Sequence, residues 1–312
     1  MTGAATFTNL DEPLFTDSGA TKRDLVTYLE AVHRLLIADL RNRPLSVIRA
    51  VRGQHPFMQK NVPSYAPPWV RTVSIWAEAS KREVAYALCN DLRTLLWFAN
   101  QRAVEYHPAL VRADRPDKPL YLVLDLDPPA AAGFSAAAQA ALLVRIALDE
   151  HGLTGAVKTS GAKGLHVFVP VTRARHEDVA AAARGIAARV EELDPALATT
   201  AFMKEQRGGG VFIDATRVGG ATVVSAYSPR IRPGVPVSFP LRWEEVGSVS
   251  PGDFTIHNAA RFATERPSWT DLLPKAQRLP ARLVEAGAAI PPGRVRAMHE
   301  GRRRARANRG AR

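Results

Sequence analysis

After Thr21 the apolar positions fall into a helical rhythm: Leu25, Tyr28, Leu29, Val32, Leu35 and Leu36 share one face. Thr21 with Asp24 three residues on has the form of a capping box, so the spacing predicts a helix opening there. Residues 44–75 break into short apolar runs between Gly and Pro, which predicts short strands and loops. Asn90 could cap a second helix that buries Leu92, Leu95, Leu96 and Ala99. The rhythm turns to a period of two in PLYLVLDLDPP. Leu120, Leu122, Leu124 and Leu126 fall on one face, and Tyr121, Val123, Asp125 and Asp127 on the other. Pro128 and Pro129 end that strand. An Ala-rich helix over 135–150, opened by Ser135, comes next, then strands at 156–159 and 165–171 joined by a Gly-containing loop. A second Ala-rich helix at about 175–193 precedes strands at about 211–216 and 221–227. The last 45 or so residues are expected to form a short helix and a mobile tail. The β-α-β-β order across 119–227 predicts an α+β fold, a sheet covered by helices on one face.

Composition narrows the classes of partner. A 46% hydrophobic share is enough for a real core. The formal net charge of +12 favours an anionic partner. Residues 301–312 carry six Arg and no acid, half of the excess, so the body is basic in its own right. Cys89 is the only cysteine, which excludes an internal disulfide and a Cys-based zinc site. No apolar run approaches the roughly 18–20 residues of a membrane span. The expectation is a cytosolic protein without a membrane partner.

Three sets of residues could carry chemistry. Asp125 and Asp127 sit two apart on one strand, roughly 6.6–6.8 Å along the chain, and can converge on one cation. Together they would repel, a penalty that Mg²⁺ or Mn²⁺ removes; alone they read equally well as solvated acids at a strand end. Asp214 lies inside the apolar run VFID, where a buried carboxylate needs a partner. If its strand neighbours the first, three carboxylates meet as a two-metal phosphoryl-transfer site needs; otherwise Arg217 is its ion-pair partner. The loop KTSGAKGLHV offers Gly161, Gly164, Ser160, Lys163 and His166 for phosphate, with backbone N–H groups able to form an anion nest. A Gly-rich turn with a solvated Lys is the plainer alternative, and the Walker A spacing is absent. Arg230 and Arg232 flank Pro229 and Pro233; in an extended segment both would face one side and suit a triphosphate or a DNA backbone. Phe57, Met58 and Lys60 offer a base-stacking surface beside a cation, or ordinary core.

In order along the chain, TNLDEPLF, TKRDLVTY, FMQK, WVRTV, LLWFANQRAVEYHP, YLVLDLDPP, KTSGAKGLHVFVP, FIDATR, AYSPRIRPGVPVS and PLRWEE resemble the bacterial primase-polymerases of the archaeo-eukaryotic primase superfamily. They are most similar to the polymerase domain attached to the ligase of bacterial non-homologous end joining, with stand-alone Prim-PolC-type relatives equally close. The resemblance implies one catalytic domain over 1–290, with an N-terminal α/β module to about 105 and an RRM-like antiparallel sheet packed against helices over about 106–245. Residues 291–312 would be a basic tail. It implies a nucleotidyltransferase whose metals, Mn²⁺ or Mg²⁺, are held by Asp125, Asp127 and Asp214. His107, Ser160, Lys163, His166, Arg230 and Arg232 would bind nucleotide, and Lys22, Phe57, Met58, Lys60 and Arg71 would bind DNA. The implied partners are nucleoside triphosphates, DNA with gaps or 3′ ends, and a DNA ligase with other repair proteins, at the nucleoid. A ribonucleotide preference is implied as well. Two positions depart from the family pattern. Glu12 stands where a Lys usually grips a downstream 5′-phosphate, and Phe57–Met58 replaces a Phe pair. Both point to gap filling or another repair role rather than end joining. A D-x-D phosphatase would need Thr or Val where Pro129 stands. A non-catalytic nucleic-acid-binding protein would leave the three acids unexplained.

Overall fold

The computed structural model describes residues 7–77, 81–130 and 132–292. Helix α1 (Lys22–Leu40) opens on the anticipated capping box: Thr21 Oγ1 accepts from the Asp24 amide, and the Asp24 carboxylate accepts from the Thr21 amide. Strands β1 (Leu45–Arg49), β2 (Phe57–Gln59), β3 (Thr72–Ala77) and β4 (Arg82–Ala87) follow, then helix α2 (Leu92–Asn100) and strand β5 (Ala103–Pro108). The cap of α2 is Asp91, whose carboxylate accepts from the Thr94 amide. Asn90 is not the cap, because its amide exchanges two hydrogen bonds with Asn42. In the N-terminal sheet β1 is central, antiparallel to β5 on one side and to β2 and β4 on the other. A short hairpin, β6 (Val111–Arg112) and β7 (Arg115–Pro119), leads into the second sheet.

That sheet is built from β8 (Tyr121–Asp127), α3 (Gly133–Asp149), β9 (Ala156–Thr159), β10 (Leu165–Pro170), α4 (His176–Leu193), β11 (Ala198–Thr199), β12 (Val211–Asp214) and β13 (Pro240–Leu241). Its strand order is β11-β12-β8-β10-β9-β13, antiparallel at every step except β11–β12. The inner four strands with α3 and α4 give the β-α-β-β-α-β arrangement of an RRM-like sheet, as the resemblance implied. Leu122, Leu124, Leu126, Val167 and Val169 are buried on the face that α3 and α4 cover. The opposite face carries the polar residues and meets the N-terminal module. The join is polar as well as apolar: Tyr28 donates to the Tyr227 carbonyl, and Asp39 accepts from Ser225 Oγ and the Ala226 amide.

Three expectations about elements change. Helix α3 begins at Gly133, which adopts φ +67°, so Ser135 lies inside its first turn. Residues 221–227 form no strand: their amides go separately to Tyr106 O, Asp39 Oδ2 and Ser238 O, and only Thr222 makes a bridge, to Ala109. Helix α5 (Ala259–Glu265) precedes the last 45 residues, and within those the described part forms two α-helices, α6 (Trp269–Leu272) and α7 (Ala281–Ala289), where one was expected. Helix α7 packs on α4 so closely that a Cβ at Gly287 would lie 1.8 Å from the Ala181 carbonyl oxygen. The basic run 301–312 lies outside the described residues.

Candidate active site

Sheet register assembles the site. Asp125 on β8 is paired with Asp214 on β12 and, on its other side, with His166 on β10; His166 is in turn paired with Lys158 on β9. One row of four ionisable side chains therefore crosses four strands on the face away from the helices. Asp127 lies two residues further along that face and is half exposed, whereas Asp214 is nearly buried.

Arginines attend all three acids. Arg217 lies 3.3 Å from Asp125 Oδ2 and 3.2 Å from Asp214 Oδ2, bridging the two carboxylates. The ion-pair alternative for Asp214 is therefore realised, in a form that includes Asp125. Arg207 lies 3.7 Å from Asp127, held by the Ala201 and Phe202 carbonyls and stacked 3.9 Å over the Phe212 ring. Asp214 Oδ1 also accepts from the amide and hydroxyl of Thr216. Burial pushes the Asp125 carboxyl up, but His166, Arg217 and Lys158 outweigh it and hold it down at about 2. With the carboxylates turned to arginines, no trio of metal-ligating side chains converges among the described residues. The donor set is nonetheless the one a hard divalent cation takes: carboxylate oxygens only, two of them facing each other in register around a positive charge. In this structure Arg217 supplies that positive charge.

The Gly-containing loop is fixed by close approach. Gly161 adopts φ +66°, and a Cβ there would meet Arg230 Cγ at 2.7 Å. A Cβ on Gly164 would lie 1.8 Å from the Leu126 carbonyl oxygen, so only glycine lets the loop cross β8 beside the acids. The expected anion nest is not formed, because the Ala162 and Gly164 amides donate to Ser160 Oγ within the loop. Lys163 is exposed and lines a cavity of about 290 Å³ with Pro128, Phe134 and Pro251.

Sequence reasoning missed two buried groups. Glu105, on β5, accepts from His107 Nε2 at 2.8 Å and from the Ile231 amide at 2.9 Å, and lies 3.1 Å from Arg230 Nε. Burial raises its pKa, but His107 and Arg230 more than offset this and hold it at about 2. Lys158 is fully buried, donates to Ser238 Oγ, and stands 2.9 Å from His166 Nδ1. Burial draws its ammonium down to about 7. Both lie as single charges within apolar strand runs, AVEYHP and AVKT, the signal that drew attention to Asp214.

Arg230 and Arg232 do not share a side. The chain turns between them, with Arg232 N–H donating to the Arg230 carbonyl and Val235 at φ +45°. Arg230 points inward to the Ser160 carbonyl, at 2.5 Å, and to Glu105, tying the loop to β5. Arg232 is exposed and lines a separate cleft of about 980 Å³ with Glu12, Arg52, His55 and Arg102. In that cleft Glu12 lies 3.4 Å from Arg102 and 3.6 Å from Arg52. Lys22 is interior, its ammonium donating to the Thr8 carbonyl and Asn100 Oδ1, so it offers no surface contact to a phosphate. Phe57, Met58, Lys60 and Arg71 are exposed on the N-terminal module. Phe57 and Met58 are consecutive on β2 and so point to opposite faces, with Arg49 over the Phe57 ring at 5.7 Å.

A sheet of this topology with paired acids on its open face is the arrangement that a primase-polymerase core presents, and the comparisons assign the chain to that class. Residues 21–269 match the family model of the LigD primase-polymerase domain, and the chain belongs to that family. It is 34% identical over 256 residues to the bifunctional non-homologous end joining protein LigD of Bacillus subtilis, covering 80% of this chain and 41% of that protein. It is 32% identical over 238 residues to the multifunctional non-homologous end joining protein LigD of Pseudomonas aeruginosa, covering 74% and 28%. The chain thus spans less than half the length of these relatives. The polymerase domain of Mycobacterium tuberculosis ligase D, solved in complex with DNA, superposes with a TM-score of 0.75 at 27% identity, covering 86% of this chain and 97% of that one. These relatives are named for end joining, the pathway from which Glu12 and Met58 pointed away. No helix among the described residues is long and apolar enough to cross a membrane.

Proposed function

We propose that this chain is a DNA-repair nucleotidyltransferase that adds nucleotides, with a preference for ribonucleotides, to DNA primers at short gaps or ends. The observation that carries the reading is the register pairing of Asp125 with Asp214, with Asp127 on the same sheet face, in a member of the LigD primase-polymerase family. Asp125, Asp127 and Asp214 would hold two divalent cations, Mn²⁺ or Mg²⁺. Bound there, the cations would supply activation of a primer 3′-OH and charge neutralisation on the triphosphate and leaving pyrophosphate. The chain's own contribution is positioning and electrostatics. Arg217, which bridges Asp125 and Asp214, would offer its charge to the negative phosphates. Lys163 would reach the triphosphate from the exposed loop tip. His166 would steady Asp125, and Arg230 would hold the Ser160 loop in place through its carbonyl. His107, locked to Glu105, would wall the nucleotide side of the cleft. Phe57, Met58, Lys60 and Arg71 would meet the DNA from the N-terminal module.

Nucleotide addition on a series of gaps, a 3′-overhang and a bare single strand, each with ribo- and deoxynucleotides, tests this reading. Asp127→Ala is expected to abolish addition and leave DNA binding intact or stronger, since a negative charge is lost. Full activity in that variant would remove the acids from the mechanism.

A further inference from the structure

The row of ionisable groups ends in a pair whose hydrogens can be counted. Ser238 Oγ spends its only hydrogen on the Thr159 carbonyl at 2.7 Å, so toward Lys158 Nζ, 2.6 Å away, it can only accept. Asp125 is an acceptor-only carboxylate, so His166 Nε2, 3.2 Å from Oδ1, must carry a hydrogen. Lys158 Nζ faces the other ring nitrogen at 2.9 Å. A neutral ring with its one hydrogen at Nε2 leaves Nδ1 bare, and Lys158 Nζ has hydrogens to donate to it. Lys158, Ser238 and His166 are all buried, which leaves solvent little part in the exchange of these partners.

We propose that Lys158 is a positioning residue: anchored by Ser238, it donates to Nδ1 of His166 and, with Asp125 accepting at the other end, holds the Nε2–H ring so that one defined donor is aimed at Asp125. The role in catalysis rests on the nucleotidyltransferase reading above; the tautomer does not. A ring held between an outer donor and an inner carboxylate keeps that carboxylate oriented, and loss of such an outer partner typically costs about 10- to 100-fold in affinity or activity at metal sites. The Lys158 ammonium is too deeply buried, and too fully engaged, to serve as an ordinary surface phosphate contact.

Long-range proton–nitrogen correlation spectra of isotope-labelled full-length protein, at neutral pH and without nucleotide or metal, test the assignment. The His166 signals are identified by their loss in His166→Gln. The expected ring has a pyrrole-type Nε2 and a pyridine-type Nδ1. In Lys158→Met, which keeps the chain length and loses the donors, Asp125 still selects Nε2–H, but Nδ1 loses its hydrogen bond; its pyridine-type signal should move downfield toward that of a free acceptor nitrogen, and nucleotide addition should fall about 10- to 100-fold with DNA affinity unchanged. Lys158→Gln, whose amide can donate to both Ser238 and Nδ1, should restore the wild-type Nδ1 signal. Two pyrrole-type nitrogens in the wild type, an imidazolium beside a neutral amine, would overturn the proposal, as would an unmoved Nδ1 signal in Lys158→Met. If Lys158→Met does not fold, the wild-type spectrum still decides. The expected spectrum in a protein that adds no nucleotides would leave the tautomer assignment standing and remove the proposed function.

Discussion

Glu105→Gln isolates the group that, through Arg230, ties the N-terminal module to the Gly-containing loop at Ser160. The Glu105 carboxylate meets three groups at once: it accepts from His107 Nε2 and the Ile231 amide and forms an ion pair with the Arg230 guanidinium. The variant keeps the shape but removes the charge, and it presents an amide to groups that donate. Two routes give the magnitude. Breaking a buried ion pair by removing one partner costs about 3–5 kcal/mol. A carboxyl held at about 2, against 4.5 for an ordinary glutamate, favours the ionised form by about 3 kcal/mol. The expected loss at neutral pH is therefore about 3 kcal/mol, read by urea denaturation. The sign with pH follows from the lowered folded-state pKa. The contribution is fully present above about 4.5 and is lost as pH falls from there through about 2, so wild type and variant should converge in that window and not above it. Arg230→Met alone, and combined with Glu105→Gln, should show coupling above about 1 kcal/mol. A loss at neutral pH under about 1 kcal/mol, or a gap that stays constant down to pH 2, would refute the account of Glu105 as a charged hub.

Three further outcomes are expected. Arg217→Gln removes the positive charge between Asp125 and Asp214 and should tighten Mn²⁺ binding in the absence of nucleotide by up to about tenfold, or 1.4 kcal/mol, in calorimetric titration; weaker binding would mean that Arg217 helps to form the cation site. Gly164→Ala drives a methyl into the Leu126 carbonyl and should cost about 1–3 kcal/mol of stability together with most nucleotide addition; a wild-type melting curve would contradict the close approach. Glu12→Lys replaces the acid between Arg52 and Arg102 with a third cation and should raise the preference for a 5′-phosphorylated gap over a 5′-hydroxyl gap; a tenfold preference already present in the wild type, about 1.4 kcal/mol, would show that the acid does not oppose the phosphate.

Much of the site was readable because local pattern suffices for it. A period of two places Asp125 and Asp127 on one face, and a carboxylate in an apolar run marks Asp214. What could not be read was the pairing of β12 with β8, a contact across some 90 residues that turns separate acids into a site. Glu105 and Lys158 show the same single-charge signal as Asp214; His107 and His166 lie near them in sequence, but Arg230, Ile231 and Ser238, which complete their surroundings, come from a distant part of the chain. Arg230 and Arg232 were placed together on the assumption of an extended segment. The turn that separates them is closed by the Arg232 amide on the Arg230 carbonyl, a backbone bond that the residue types around it do not announce. The strand over 221–227 failed for a related reason: an apolar run satisfied by three different partners looks the same in sequence as one satisfied by a neighbouring strand. Lys22 looked like a surface cation because its partners, Thr8 and Asn100, converge only in the folded chain.

The four-strand row from Asp214 to Lys158 has a consequence for how the protein can vary. Its spacing is set by inter-strand hydrogen bonds, three steps of about 4.8 Å, and not by any loop. Insertions between the strands can therefore reshape the surface around the row while the charged row stays in place. Deleting one residue within β8 would instead turn Asp125 toward α3 and α4 and bring a leucine to the open face. Lineages that diverge in substrate should accordingly differ in the length of their connections, while the strands tolerate substitution far better than a change in length.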